Sequence, residues 1–312
     1  MLSRVAASLY WLSRNVQRAE SLARIVDVAF NRTVDRNVAG RDQATAMWRN
    51  VLGLVGVPGD ADYPGGSRFA TDAFALATFS REHHSSIVSC IHVARANAAS
   101  VRAELSSEAW EAVNALYLFI EKQSPRAVVR AGPSSLLREI RDAGVAFGGI
   151  VDATITHGEE WNFLQLGRFI ERAAMTAAVL QTHDEADDSV PEWQRILEMC
   201  CASEPFARTL RHSTDPQDAL AFLLLHRTFP RSVRYCTAEV DHALHRLSET
   251  QLGTFSNDAE LVTGRLGAML DYVRLAEIVD DGPVAFARRL SRRLAEIGTA
   301  VEATYFPLVP AA

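Results

Sequence analysis

The chain has 312 residues, 48% of them hydrophobic, which is enough to bury one large core or two ordinary ones and argues against disorder. Its 32 basic residues against 38 acidic ones leave a formal charge of -6, so no overall electrostatic attraction to nucleic acid or a membrane surface is expected. The four cysteines, Cys90, Cys200, Cys201 and Cys236, have neither zinc-ligand spacing nor the density of a disulfide framework, which points to a reducing compartment, the cytoplasm.

Lys122 is the sole lysine, an arginine bias that reads as codon usage in a GC-rich genome. The opening Val5 to Leu12 is too short and too soon followed by Arg14 and Arg18 to be a secretory leader, and no stretch is apolar enough to span a bilayer. Instead Val5, Leu9, Leu12, Val16, Ala19, Ala23, Val26 and Phe30 advance in alternating steps of four and three, an amphipathic helix with Asn15, Glu20 and Arg24 on its other side. A short helix over Gln43 to Val55 and a glycine- and proline-rich loop over Pro58 to Ser67 follow. Helical patterns then run over Thr71 to Phe79, Arg81 to Leu105, Ser107 to Lys122 and Ser134 to Thr156. In the second half they cover Glu159 to His183, Pro191 to Arg211, Pro216 to Phe229, Pro230 to Glu249, Ala259 to Val279 and Val284 to Phe306. Nothing alternates with strand period, so the fold class is all-α, a multi-helix bundle without a sheet.

Residues 9–26 match residues 163–180 at an offset of 154, pairing Leu12 with Leu166, Arg14 with Arg168, Arg18 with Arg172 and Ala19 with Ala173. The two helices therefore show arginines at one angle to their apolar seams, and the chain reads as a single domain of two duplicated halves, roughly 1–156 and 157–312.

Spacings of three and four gather Tyr10, Arg14, Gln17 and Arg18 on one face of the first helix and Arg168, Glu171 and Arg172 on one face of the second. Arginine forks bind carboxylate or phosphate in a bidentate manner, so paired helices of this kind can line an anion-binding cleft. Equally, Glu171 can pair with an arginine of the other half and lock the halves together. His242 and His245 stand three apart on one helix near Glu239 and Asp241, a weak metal-ligand pattern without a third ligand; no metal is expected. His157 beside Glu159 and Glu160 precedes the second arginine helix, and Cys200-Cys201 reads as filler inside an apolar helix. Phosphate loops, dinucleotide fingerprints, nucleophile elbows and the zincin motif are all absent from the sequence.

The run Leu2-Ser3-Arg4-Val5-Ala6-Ala7-Ser8-Leu9-Tyr10-Trp11-Leu12-Ser13-Arg14, then Leu166-Gly167-Arg168-Phe169-Ile170-Glu171-Arg172-Ala173, resembles the bacterial alpha-E domain family, a helical domain with a recurring Glu-Arg motif. The resemblance continues through Ala94-Arg95-Ala96-Asn97-Ala98, Trp110-Glu111-Ala112-Val113-Asn114 and Pro230-Arg231-Ser232-Val233. Two departures stand out: the first Glu-Arg motif is Gln17-Arg18, and the family's Arg-Glu-Asn appears as Arg95-Ala96-Asn97. The resemblance implies association with a circularly permuted ATP-grasp protein, which would itself carry ATP and Mg, this chain having no cofactor of its own. It thereby implies an accessory or substrate-presenting role in amide or peptide ligation, with a carboxylate, phosphate or peptide held by the arginine face. A stand-alone enzyme using the His242/His245 region, and a purely structural helical scaffold, are the alternatives.

Overall fold

Two long helices that touch along their backbones form the axis of the protein. The computed structural model describes residues 1–34, 41–57 and 69–307. Within them the helices are α1 (Ser3–Val34), α2 (Arg41–Leu54), α3 (Phe69–Phe79), α4 (Ile87–Ser100), α5 (Ser107–Glu121), α6 (Pro125–Ala131), α7 (Ser134–Thr154) and α8 (Glu159–Leu180). They continue as α9 (Val190–Met199), α10 (Ser203–Thr209), α11 (Pro216–Leu225), α12 (Val233–Ser248), α13 (Asp258–Tyr272), α14 (Leu275–Asp281) and α15 (Pro283–Tyr305), and among the described residues there is no strand. The all-α expectation holds. The expected loop at 58–67 lies outside the described residues.

The periodic stripe of α1 is buried, from Leu9 and Leu12 to Val26. Its other side is buried too: Asn15, Gln17, Glu20 and Ser21 are each less than a tenth exposed. The reason is position, since α1 is wrapped by α8, α4, α7, α2, α3 and α9, whereas an amphipathic helix at a surface would have only one neighbour face. A helix enclosed in this way must satisfy its polar side chains internally. At the axis, Gly167 of α8 lies so close to α1 that an added Cβ would stand 2.3 Å from the Tyr10 carbonyl oxygen and 3.1 Å from Ser13 Cβ. Only glycine permits that approach.

Around this axis the helices follow one order twice. α4 and α7 pack on α1 with α5 bridging them, as α12 and α15 pack on α8 with α13 bridging them. The local stops also match. Ser86 opens α4 by accepting from Ser89 N and donating to the Ser80 carbonyl, and Ser232 opens α12 by accepting from Tyr235 N and donating to the His226 carbonyl. α6 and α14 each end at a glycine, Gly132 and Gly282, with φ 89° and ψ 126°.

Several boundaries differ from the sequence reading. Residues 81–86 form turns rather than helix, because Ser86 caps α4 there. The single helix read over 191–211 is two, broken at buried Cys200 and exposed Cys201, whose φ is 55°, so this pair ends a helix instead of filling one. Likewise 259–279 splits into α13 and α14 at Val273, and the short α6 is additional. No helix among the described residues is long and apolar enough to cross a membrane.

Candidate functional site

The arginine faces of α1 and α8 meet, and the structure joins six of the seven residues singled out from the sequence in one seam, with Arg168 beside it but bonded elsewhere. Glu171, 1% exposed, carries the first half of the arrangement. Arg18 grips it with two bonds, Nε to Oε1 at 2.5 Å and Nη2 to Oε2 at 3.0 Å, and Arg14 Nε reaches Oε2 at 3.0 Å. Arg14 also donates to the Tyr10 hydroxyl at 2.9 Å, and Arg18 to Ser85 Oγ at 3.2 Å. Burial opposes the Glu171 carboxylate, but Arg18 and then Arg14 outweigh it and hold its pKa below the usual range. Burial, aided by the charges of Glu302 and Glu171 and opposed by Arg14, pushes the Tyr10 hydroxyl up to about 12, so it stays neutral.

The other half differs. Gln17 occupies the place that Glu171 has on α8, and Arg172 donates to its Oε1 from Nε at 3.0 Å and Nη2 at 2.8 Å. The remaining bond of Arg172 goes to the Pro230 carbonyl at 3.4 Å. No carboxylate bonds to Arg172 among the described residues, and burial followed by the charge of Arg231 draws its pKa down to about 10. Arg168 is turned away to Asp152, bonding both carboxylate oxygens at 3.0 to 3.1 Å, and to Gln165. Gln17 passes the contact on: its Nε2 donates to Glu20 Oε2 at 2.9 Å.

Glu20 and Arg24, four apart on the other side of the first helix, and Arg231 were not among the seven residues, yet they complete the network. Glu20 accepts from Arg24 at 2.7 Å and Arg231 at 2.9 Å; burial disfavours its charge, but these two arginines hold its carboxyl at about 2. The legible hint was Pro230-Arg231-Ser232, an arginine placed immediately before a capping serine. In sum, among the described residues Arg14, Arg18, Arg24, Arg172 and Arg231 share Glu171 and Glu20 alone, an excess of three positive charges along a buried seam. The neighbouring thiols do not compensate it, since burial pushes Cys90 and Cys236 up to about 12.

A cavity of about 310 Å3 opens on the uncompensated end, with Gln17, Arg168 and Arg172 on one side and Gly144, Gly148 and Gly149 of α7 on the other. These glycines give the room: a Cβ at Gly144 would strike Glu20 Cβ at 2.7 Å.

The histidine pair does not form a metal centre of the kind its spacing suggested. His245 has Nδ1 at 2.8 Å from the Asp241 carbonyl and Nε2 at 3.1 Å from the Thr254 carbonyl, so both nitrogens are donors and neither offers a lone pair. His242 is 3.6 Å from Glu239, and among the described residues no three His, Cys, Asp or Glu side chains converge. His157 stacks on Trp161 at 4.2 Å and bonds the Asp152 carbonyl, beside the Arg168 pair.

Among known proteins the chain is similar, at 24% identity over 252 residues, to proteins described only as uncharacterized in Mycobacterium bovis and in two strains of Mycobacterium tuberculosis. Each alignment covers 74% of this chain but 28% of the relative, so the chain spans well under a third of those proteins. No solved structure matches. A family model described as a predicted alpha-helical domain with a conserved ER motif matches residues 1–306, and the chain, with Glu171-Arg172 at its centre, belongs to that Alpha-E family.

Proposed function

We propose that this protein is an accessory, substrate-presenting partner of an ATP-grasp type amide or peptide ligase, and that it holds a carboxylate- or phosphate-bearing substrate at Arg172. The observation that carries the reading is the Arg172 fork, closed on neutral Gln17 at the wall of a cavity within a seam of excess positive charge. A buried guanidinium without a carboxylate is costly, and an anionic guest would relieve that cost. Arg14 and Arg18, by contrast, already hold Glu171 and serve the docking of α1 on α8. The recurring helix order supports reading 1–156 and 157–312 as repeats of one ancestor, with the seam between them.

In such a ligase a substrate carboxylate takes the terminal phosphoryl group of ATP, releasing ADP, and an amine then displaces phosphate to form the amide. That chemistry belongs to the partner; the role assigned to this chain is to bind and orient an anionic substrate. The test mixes this chain with a genomically adjacent ATP-grasp protein, ATP, Mg and candidate peptides, and follows new amide bonds by mass spectrometry. Co-purification, with ligation lost on Arg172→Ala, is the expected result. Failure both to co-purify and to alter the partner's ligation overturns the reading.

A further inference from the structure

Helices α12 and α13 enclose a second cavity, of about 730 Å3, away from the arginine seam. Between α4 and α5 the corresponding space is filled. Buried positions set the register of the two pairs. Cys90, Ile91, Ala94 and Ala98 of α4 face inward as Cys236, Thr237, Val240 and Leu244 of α12 do, and Ala109, Val113, Leu116 and Ile120 of α5 as Ala259, Thr263, Leu266 and Leu270 of α13 do. In this register Asp241 stands where Arg95 does, Gly264 where Asn114 does and Gly267 where Tyr117 does.

Arg95 is what fills its own helix pair. Its guanidinium lies 4.9 Å from the Tyr117 ring centroid and 5.6 Å from that of Trp110, and its Nε donates to Asn114 Oδ1 at 3.3 Å. In α12 and α13 the cation has become a carboxylate, and two of the side chains that packed it have become hydrogen atoms. Volume and charge are inverted together, which is the change that would open a pocket for a cation supplied from outside.

The carboxylates lining this cavity are not equivalent. Glu260 accepts from Ser256 and Asn257, and Asp271 is paired with Arg234. Asp241 accepts no hydrogen bond at its carboxylate among the described residues, and a quarter of its side chain is exposed. Its nearest cation, His245 Nδ1 at 3.4 Å, is spent on the Asp241 backbone carbonyl. Arg227 and Arg265 line the same cavity, exposed and in no ion pair among the described residues. Phe255 and Tyr272 add aromatic surface, 61% and 85% exposed. An acid that accepts no hydrogen bond and has beside it an imidazolium whose proton is given to a carbonyl, two arginines in no ion pair among the described residues, and exposed rings describe a ligand with both signs of charge.

We propose that the α12–α13 cavity binds a peptide segment or amino-acid derivative bearing a guanidinium and a carboxylate, the guanidinium taking at Asp241 the place that Arg95 fills between α4 and α5, and the carboxylate meeting Arg227 and Arg265. The guest supplies the missing plug of its own pocket. This site is separate from Arg172, so it stands or falls independently of the ligase reading.

The experiment is calorimetric titration of the whole chain with N-acetyl-glycyl-arginine, whose only charges are one guanidinium and one carboxylate. Saturable binding is expected, weakened about tenfold or more by the isosteric Asp241→Asn. Capping the ligand carboxylate as an amide weakens it as well. Gly267→Tyr, which restores the aromatic of the α5 register, abolishes it; a Cβ there has its nearest neighbour, Thr237 Cγ2, at 4.0 Å, so the fold has room for the start of the ring. Thermal melting confirms that both variants fold. Absence of saturable binding up to about 10 mM, or binding that both Asp241→Asn and Gly267→Tyr leave unchanged, overturns the proposal.

Discussion

Arg172 meets Gln17 Oε1 with both Nε and Nη2, at 3.0 and 2.8 Å, so a fork shaped for a carboxylate is closed on an amide oxygen. Gln17→Glu would supply the absent charge with little change of shape. It also turns the Nε2 that donates to Glu20 Oε2 at 2.9 Å into an oxygen facing a carboxylate, so the rise in unfolding stability is expected to fall below the range of about 1.5–3 kcal/mol for a hydrogen bond to a charged group. Sulfate or a small carboxylate is expected to raise the melting temperature of the wild-type chain, and Gln17→Glu to remove that rise. A destabilised Gln17→Glu chain would show that repulsion from Glu20 outweighs the new pair with Arg172.

Arg18→Ala and Arg172→Ala separate clamp from binder. The first takes two of the three hydrogen bonds that arginines give buried Glu171, and a loss of about 3 kcal/mol is expected. The second removes a cation that lacks a carboxylate, and the change should stay within about 1 kcal/mol while anion binding disappears. Urea unfolding beside anion titration reads both, and equal destabilisation would assign both arginines to the scaffold.

Acid should dismantle the seam from its carboxylates. Glu20 in the folded state is held at about 2 and Glu171 also below its usual value of 4.5. For groups depressed on folding, the stabilisation is complete above the unfolded pKa and drains as pH falls from there through the folded pKa. Unfolding free energy should therefore decline between the usual carboxylate range and about pH 2, and Glu20→Gln should flatten that decline. An unchanged slope in Glu20→Gln would refute the assignment.

Gly167→Ala forces a Cβ to 2.3 Å from a backbone oxygen, and neither helix can yield locally. A cost of about 3 kcal/mol or more is expected. Gly148→Ala makes the useful contrast, because its obstacle, at 2.8 Å, is the flexible tip of Arg168. Its melting temperature should fall far less.

His245 is bonded to carbonyl oxygens through both nitrogens, which requires the imidazolium. Burial works against that charge, but the bonds to the Asp241 and Thr254 carbonyls prevail, aided by Asp241 and Glu260, and raise its pKa above 6.5. A group raised on folding stabilises fully below its unfolded pKa and loses that contribution as pH rises through the folded one. Amide exchange in residues 250–257, which Thr254 tethers, should therefore accelerate, beyond intrinsic rates, on the alkaline side of neutrality. No acceleration beyond intrinsic rates would place the tether elsewhere.

Much of this was written in local pattern. The four-three stepping located α1, and its match at an offset of 154 located α8, because these depend on nearest neighbours along the chain. The starts of α4 and α12 lay instead at the capping serines, several residues after the positions read from the pattern. What periodicity could not supply was the number of neighbours: Glu20 sits opposite the apolar stripe and looked solvated, yet it is 2% exposed because α1 is enclosed. The break at Cys200 and Cys201 carries no glycine at the left-handed position, and its signal was Pro205, which falls in the first turn of α10 where a new helix accepts a proline. At the site, spacing found the seven residues of the two faces but not their partners Glu20, Arg24 and Arg231, which come from other faces and another segment. The α12–α13 cavity was invisible until helices were paired, because two scattered glycines become a void only when the facing side chains are known.

The close approach of Gly167 to the Tyr10 carbonyl also bears on how a guest is received. Helices joined backbone to backbone have no hinge, and their interdigitated neighbours leave no sliding surface, so the seam cannot clamp down on arrival of a substrate. For the guest proposed at Arg172 this predicts lock-and-key recognition, in which encounter is governed by diffusion and charge steering and discrimination between guests is expressed in how long each one stays.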